Sequence, residues 1–108
     1  MVRIGLLAAL VLTAVGCGGG DPCAGSRCPN DTKQTTSDYQ NCVSQHQRSQ
    51  SNRCYPQTVS YELCIQASQV CGSDGRTDGQ ASGTQANLNC KTQADSVLCC
   101  VLGLSTCR

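Results

Sequence analysis

Apolar side chains recur at helical spacing in three stretches of the chain. In the first stretch, four side chains occupy positions i, i+3, i+4 and i+7: Tyr39, Cys42, Val43 and His46. This spacing places them on one face of an α-helix. Ser37 precedes the stripe and Gln40 lies three residues after Ser37, a spacing that has the form of a capping box. The pattern predicts a first helix over residues 37 to 50.

A second stripe begins just after Pro56, a residue that favours the first turn of a helix. The stripe consists of Val59, Leu63, Ala67 and Val70. Cys71 and Gly72 follow it, and a glycine placed just after the last periodic residue commonly ends a helix. The pattern therefore predicts a second helix that closes at Cys71.

The third stripe lies beyond Thr84 and is the widest. It consists of Cys90, Ala94, Val97 and Val101, flanked by Leu98 and Leu102. Residues 72–83 contain four glycines and no large apolar side chain, so they are predicted to form a loop. Two helices joined by a polar loop predict a helical hairpin, with the first helix laid against it.

Composition changes this picture by showing what must hold the helices together. The 108 residues include 11 cysteines and three tyrosines but no Trp or Phe. A core of this composition is too small to stabilise a domain at roughly 25 cal/mol per Å² of buried apolar surface. The turn-forming residues between Cys23 and Asp31 add an irregular N-terminal loop. We therefore predict a small disulfide-rich, mainly α domain over residues 23–108, with a helical hairpin, an additional helix and that loop.

The N-terminus has the form of a secretory signal. Arg3 precedes an apolar run, Ile4 to Leu12, that is about nine residues long and too short to span a bilayer as a finished helix. Residues 1–16 are therefore predicted to be a signal peptide.

The end of this run, residues 12–17 with the letters LTAVGC, resembles the lipobox of bacterial lipoproteins. The resemblance implies that Cys17 carries the lipid, and that residues 17–22 form a Gly-rich tether. Because Gly18 stands where an Asp would signal retention at the inner membrane, it further implies the outer membrane. Alternatively, an ordinary signal peptidase cuts the same bond and leaves Cys17 as a thiol on a secreted, unanchored effector or inhibitor.

Cysteine parity bears on the same question. Eleven cysteines leave one over in an exported, fully oxidised chain, and lipidation of Cys17 leaves an even number. We expect five disulfides among Cys23, Cys28, Cys42, Cys54, Cys64, Cys71, Cys90, Cys99, Cys100 and Cys107. Ten cysteines admit roughly 945 pairings, so their connectivity stays open at this point. The adjacent Cys99 and Cys100 point about 100° apart on a helix and are expected to take different partners.

Two cysteine pairs share one spacing. Cys54 to Cys64 and Cys90 to Cys100 each enclose nine residues. This arrangement resembles the twin CX9C proteins, in which two disulfides staple antiparallel helices. The resemblance implies the pairs Cys54 with Cys100 and Cys64 with Cys90, and it carries no function across.

Candidate chemistry beyond the cysteines is sparse. His46 is the single histidine, and its position on the first stripe favours a packed ring over a catalytic one. Asp74 to Gly79 superficially matches a calcium loop, but Arg76 stands at a ligand position and Gln85 replaces the bidentate acid. The net charge of +1 offers no field for nucleic acid. We expect no catalytic residue, no metal and no cofactor.

Several features together resemble the small Cys-rich lipoproteins of myxobacteria. These are the lipobox-like start, the Gly-rich tether, the run CPND at residues 28–31, and the cysteine and turn pattern over residues 61–78. The resemblance implies location and cross-linking and supplies no activity. The sequence thus predicts a lipid-anchored, non-enzymatic protein of the cell envelope, bound to the membrane by its lipid and open to an unidentified protein or surface ligand.

Overall fold

The computed structural model describes residues 20–104, which form four helices and no β-strand. The helices are α1 (Thr36–Ser49), α2 (Tyr55–Ala67), α3 (Gly79–Asn89) and α4 (Lys91–Leu102). The prediction of a small, mainly α, disulfide-rich fold is confirmed. The predicted signal peptide, residues 1–16, and the lipidation site Cys17 lie outside the described residues, as does Cys107.

Helix α1 begins one residue earlier than predicted, because its cap is Thr35 and not Ser37. The Thr35 hydroxyl accepts a hydrogen bond from the Asp38 amide at 3.0 Å, and the Asp38 carboxylate accepts one from the Thr35 amide at 3.3 Å. The two bonds form a complete capping box. Asp38 therefore plays the part that the sequence pattern assigned to Gln40.

Helix α2 stops at Ala67, four residues before its predicted end. The Ser68 hydroxyl donates to the Cys64 carbonyl at 2.9 Å, and the chain then leaves the helix. Val70 follows outside it and donates its amide to the Ser82 hydroxyl at 2.8 Å. Cys71 also lies beyond the helix, where it bonds to Cys28. The stripe position of Val70 is thus a loop position, fixed by contacts distant in sequence.

Residues 79–83 form the first turns of α3, so the prediction of a loop through residue 83 is wrong. The cause is Asp78, whose carboxylate accepts a hydrogen bond from the Ala81 amide at 3.0 Å and caps the helix. Gly79 and Gly83 lie on an open surface of this helix, with no atom near enough to exclude a side chain. The stabilisation that the Asp78 N-cap gives to the helix therefore exceeds the cost of the two glycines.

The predicted third helix is divided at Cys90. This residue has φ −112° and ψ 13°, and it joins α3 to α4. Its side chain is only 1% exposed, because it is disulfide-bonded to Cys64 and lies beside Ser68. The bend places α4 against α2 and leaves α3 in contact with both.

Helices α2 and α4 form the predicted hairpin as antiparallel neighbours. Cys54 pairs with Cys100 at one end and Cys64 with Cys90 at the other, each with a Cα–Cα distance of 5.7 Å. The pairing implied by the twin CX9C resemblance is therefore present. Val97 is partly buried, whereas Val101 is 61% exposed, so the predicted apolar contact does not extend to the end of α4.

The buried centre consists almost entirely of sulfur. Within residues 20–104, the buried apolar residues are Cys23, Cys28, Cys54 and Cys90, and the buried polar residue is Ser68. No Leu, Val or Ile in this range reaches the same degree of burial. Disulfides take the place of a hydrocarbon core, as the composition predicts.

Candidate functional site: the disulfide framework and the cleft beside it

The structure joins eight of the ten predicted disulfide cysteines in four pairs. These are Cys23–Cys42, Cys28–Cys71, Cys54–Cys100 and Cys64–Cys90. Cys99 is also disulfide-bonded. Since Cys100 pairs with Cys54, the adjacent cysteines have different partners, as the helix geometry requires.

The irregular N-terminal loop is pinned to the turn that precedes α3. The Cys28–Cys71 disulfide joins the two segments. Beside it, the Asn30 amide donates to the Gly75 carbonyl at 2.9 Å, and the Asn30 side chain donates to the Asp74 carbonyl at 2.7 Å. Gly75 has φ +76°, and a Cβ there would lie 2.5 Å from Asn30 Nδ2. Glycine is required at this position for both reasons.

Asp31 is the centre of a polar cluster at this junction. Its carboxylate accepts hydrogen bonds from the hydroxyls of Ser26 and Thr77, and from the Thr77 amide at 2.8 Å. The Gln69 side chain donates to the same two hydroxyls, at 2.7 Å each. These bonds, first that from Ser26 and then those from Thr77, hold the pKa of Asp31 below its usual range. The cluster stabilises the charged carboxylate.

The calcium-like segment serves as a turn and a cap. Asp74 accepts a hydrogen bond from the Arg76 amide at 3.0 Å, and Asp78 accepts one from the Ala81 amide at 3.0 Å. Both carboxylates therefore satisfy backbone donors of their own segment. This use of the acids fits the interpretation of the segment as a solvated turn.

His46 joins α1 to α2. Its Nδ1 lies 3.1 Å from the Tyr55 hydroxyl and its Nε2 lies 3.3 Å from Glu62, with the side chain 17% exposed. The imidazole and phenol rings meet edge to face with centroids 5.8 Å apart. The ring is packed and both nitrogens have partners, which is the structural role that its position on the stripe predicts.

The structure contains a cluster of potential metal-ligating atoms that the sequence spacing did not predict. The sulfurs of Cys23 and Cys42 and a ring nitrogen of His46 all lie within 4.8 Å of one another. The two sulfurs are bonded to each other in a disulfide. In this state they offer no thiolate, which is the form of cysteine that binds a metal. The cluster is therefore part of the cross-linked framework.

A cleft of about 570 Å³ lies between the N-terminal loop, α2 and the start of α3. Its lining includes Tyr61, Ile65 and Ala86 together with the residues of the Asp31 cluster. Ile65 is 40% exposed. An apolar lining with a few fixed polar groups is the usual form of a ligand-binding surface.

The sequence held no signal for this cleft. Among its polar lining residues, Gln69 is 43 residues from Ser26 and eight residues from Thr77 in the chain. No sequence pattern links the three residues to one another. Their convergence follows from the Cys28–Cys71 disulfide, whose existence the sequence predicts but whose pairing it leaves open.

No family model, curated protein or solved structure matches this chain. Among residues 20–104, no helix has both the length and the apolar character needed to cross a membrane. The features of the chain that bear on its function are therefore the cysteine framework, the N-terminal sequence pattern and the cleft beside α2.

Proposed function

We propose that this chain is a lipid-anchored, non-enzymatic protein of the bacterial cell envelope. Its anchor is a lipid on Cys17, its location is the outer membrane, and its role is to display a disulfide-stapled binding domain. The observation that supports this most directly is the state of the nine cysteines between residues 20 and 104, all of which are in disulfides.

The four pairs limit the candidate partners of Cys99 to two residues. Eight of the nine cysteines pair with one another, so the partner of Cys99 is either Cys17 or Cys107. Cys107 is eight residues from Cys99, whereas Cys17 stands in the lipobox-like sequence. We infer that Cys99 pairs with Cys107. Cys17 is then the one cysteine without a disulfide partner, as lipidation requires.

The binding role is supported by the cleft and by the state of the polar groups around it. His46 has both nitrogens engaged, and the Asp31 carboxylate is occupied by hydroxyl and amide donors. Both groups therefore contribute to contacts within the fold, which supports a structural role for each. A protein or surface ligand of partly apolar character fits the cleft best.

Metabolic labelling tests the anchor. The full chain is expressed with its own leader in a bacterium fed labelled palmitate, with the Cys17→Ser variant as the control. We expect label in the wild-type band only, and an intact mass that accounts for an acylated cysteine and five disulfides. A wild-type protein without label in the culture medium would overturn the proposal in favour of a secreted, unanchored effector or inhibitor.

A further inference from the structure

Residues that the sequence pattern assigns to the tether make contacts with the folded domain. Asp21 accepts hydrogen bonds from the Cys23 amide at 2.9 Å and from the Tyr39 hydroxyl at 2.7 Å. Its carbonyl accepts a third, from the Gln66 side chain at 2.9 Å. Residues 21 and 22, assigned to the tether by sequence, are thus tied to the domain.

Gly20 itself lies against helix α2. A Cβ built on it would stand 3.0 Å from Leu63 Cδ2, a tight contact that the leucine side chain would have to relieve by a small shift. Only three peptide units separate Gly20 from Cys17. A fully extended chain spans at most about 3.6 Å per residue, so the Cα of Cys17 lies within roughly 11 Å of Gly20.

We infer that the lipid anchor holds one defined face of the domain against the bilayer, an inference that rests on the proposed function. This anchor face is the groove of about 730 Å³ that contains Gly20. It is lined by residues including Arg27, Ser60, Leu63, Ala67 and Gln93. The occupant of the groove is the headgroup layer of the membrane that holds the lipid.

The chemistry of the anchor face suits a headgroup layer. No Asp or Glu lines the groove, so no carboxylate opposes phosphate groups. Its one charged side chain, Arg27, donates to the carbonyls of Gln66, Ala67 and Gln69 at 3.2 to 3.3 Å. Arg27 thus satisfies carbonyls at the end of α2 and keeps a positive charge at the surface.

A competing face exists on the same molecule. Leu98, Val101, Leu102 and Leu104 are 57%, 61%, 59% and 50% exposed. Gln93 lines the anchor face, and Leu102 is nine residues farther along α4, or about 13 Å along the helix axis. The short distance from Cys17 to Gly20 favours the groove, because Gly20 lies in the groove itself.

Fluorescence quenching decides between these faces, because the chain contains no tryptophan. Ser60→Trp places a probe at an exposed site on the anchor face, and Leu102→Trp places a matched probe at the leucine end. Each acylated protein is inserted into phosphatidylcholine vesicles that carry a nitroxide quencher on the headgroup. We expect the Ser60→Trp protein to lose most of its emission and the Leu102→Trp protein to keep most of it.

Two further variants complete the design. Ala67→Trp is a second probe on the anchor face at an exposed site, in case Ser60→Trp disturbs α2. A Gly-Ser insertion between Gly19 and Gly20 lengthens the tether, and should remove the difference between the two faces. Equal or stronger quenching at residue 102, with acylation verified by mass, would overturn the inference and leave the proposed function standing. Absence of acylation would overturn both.

Discussion

The two halves of this molecule are held together by different means. The hairpin of α2 and α4 combines two disulfides with partly buried apolar side chains, among them Leu63 and Val97. The N-terminal region, residues 20–49, has an internal disulfide at Cys23–Cys42, is joined to the segment after α2 by Cys28–Cys71, and otherwise makes mainly polar contacts. In a chain without a hydrocarbon core, cross-links define the structural units, and hydrophobic packing strengthens only one of them.

Removal of a hairpin disulfide should have the largest effect on stability of the changes that test this difference. The Cys54–Cys100 bridge spans 46 residues, and the chain-entropy relation assigns it about 4 kcal/mol, against about 3 kcal/mol for the 19 residues of Cys23–Cys42. We expect Cys54→Ala/Cys100→Ala to expose amides throughout α2 and α4. Cys23→Ala/Cys42→Ala should expose those of α1 and leave the hairpin protected.

Hydrogen exchange followed by mass spectrometry locates the loss in each double variant. Loss of protection across the whole domain in both variants would show that α1 and the hairpin unfold as one unit, contrary to the comparison.

A charge inside the hairpin tests its apolar contribution. Val97→Asp places a carboxylate at a partly buried position between α4 and α2, and we expect a loss of about 2 kcal/mol in the free energy of unfolding. Gln80→Asp is the control, since it adds the same charge in the exposed first turn of α3. There the helix dipole should stabilise the added carboxylate by about 0.3 to 1 kcal/mol. Urea denaturation with intact disulfides measures both, and equal stabilities would place Val97 outside the packed surface.

The junction at Gly75 tests how tightly the N-terminal region is attached. Gly75→Ala meets both a positive φ and the Asn30 side chain, so we expect a loss of about 1 to 2 kcal/mol. Gly83→Ala is the matched change in the interior of α3, where the space is open, and should add about 0.5 to 1 kcal/mol. Thermal unfolding of the two variants should move in opposite directions. A shared direction would contradict the backbone geometry assigned to Gly75.

The contact of His46 with α2 has a smaller expected effect. His46→Ala removes its contacts with Tyr55 and Glu62, and should cost about 1 kcal/mol. The protection lost should be that of α1 alone. Gln47→Ala, at the neighbouring exposed position, is the control and should leave exchange in α1 unchanged. Unchanged exchange in His46→Ala would mean that the disulfide by itself holds α1 in place.

Acid should weaken the N-terminal region first, and this is the smallest effect. The Tyr39 hydroxyl and then the Cys23 amide lower the pKa of Asp21, and Ser26 and then Thr77 lower that of Asp31. A carboxyl whose folded-state pKa is lowered adds stability above its unfolded pKa, and loses it as pH falls through the folded-state value. Stability should therefore decline below about pH 4.

Asp31→Asn should make that decline shallower when urea denaturation is repeated from neutral to acidic pH. Identical pH dependence in the variant and the wild type would separate Asp31 from the acid sensitivity.

The sequence predicts most of the helical content, because stripe positions such as Val59 and Leu63 lie partly buried on α2. It fails where one local bond outweighs composition, as Asp78 does for the glycines of α3. The polar lining of the cleft could not be predicted from the sequence either, since Asp31 and Thr77 meet only because Cys28 pairs with Cys71. Resemblance to another class of protein indicated the hairpin pairs, and residue patterns alone left them open.

The order of the disulfides along the chain has a consequence for export. None of the four described bridges joins cysteines that are neighbours in the sequence; even Cys23–Cys42 passes over Cys28. A chain that crosses the membrane from its N-terminus and oxidises as it emerges first forms bridges between neighbours, such as Cys23 with Cys28. Those bridges must be exchanged through thiolate attack before the native set is complete. If the chain is exported as proposed, we expect its maturation to depend on a disulfide isomerase, and reduced protein that refolds without one should accumulate scrambled isomers.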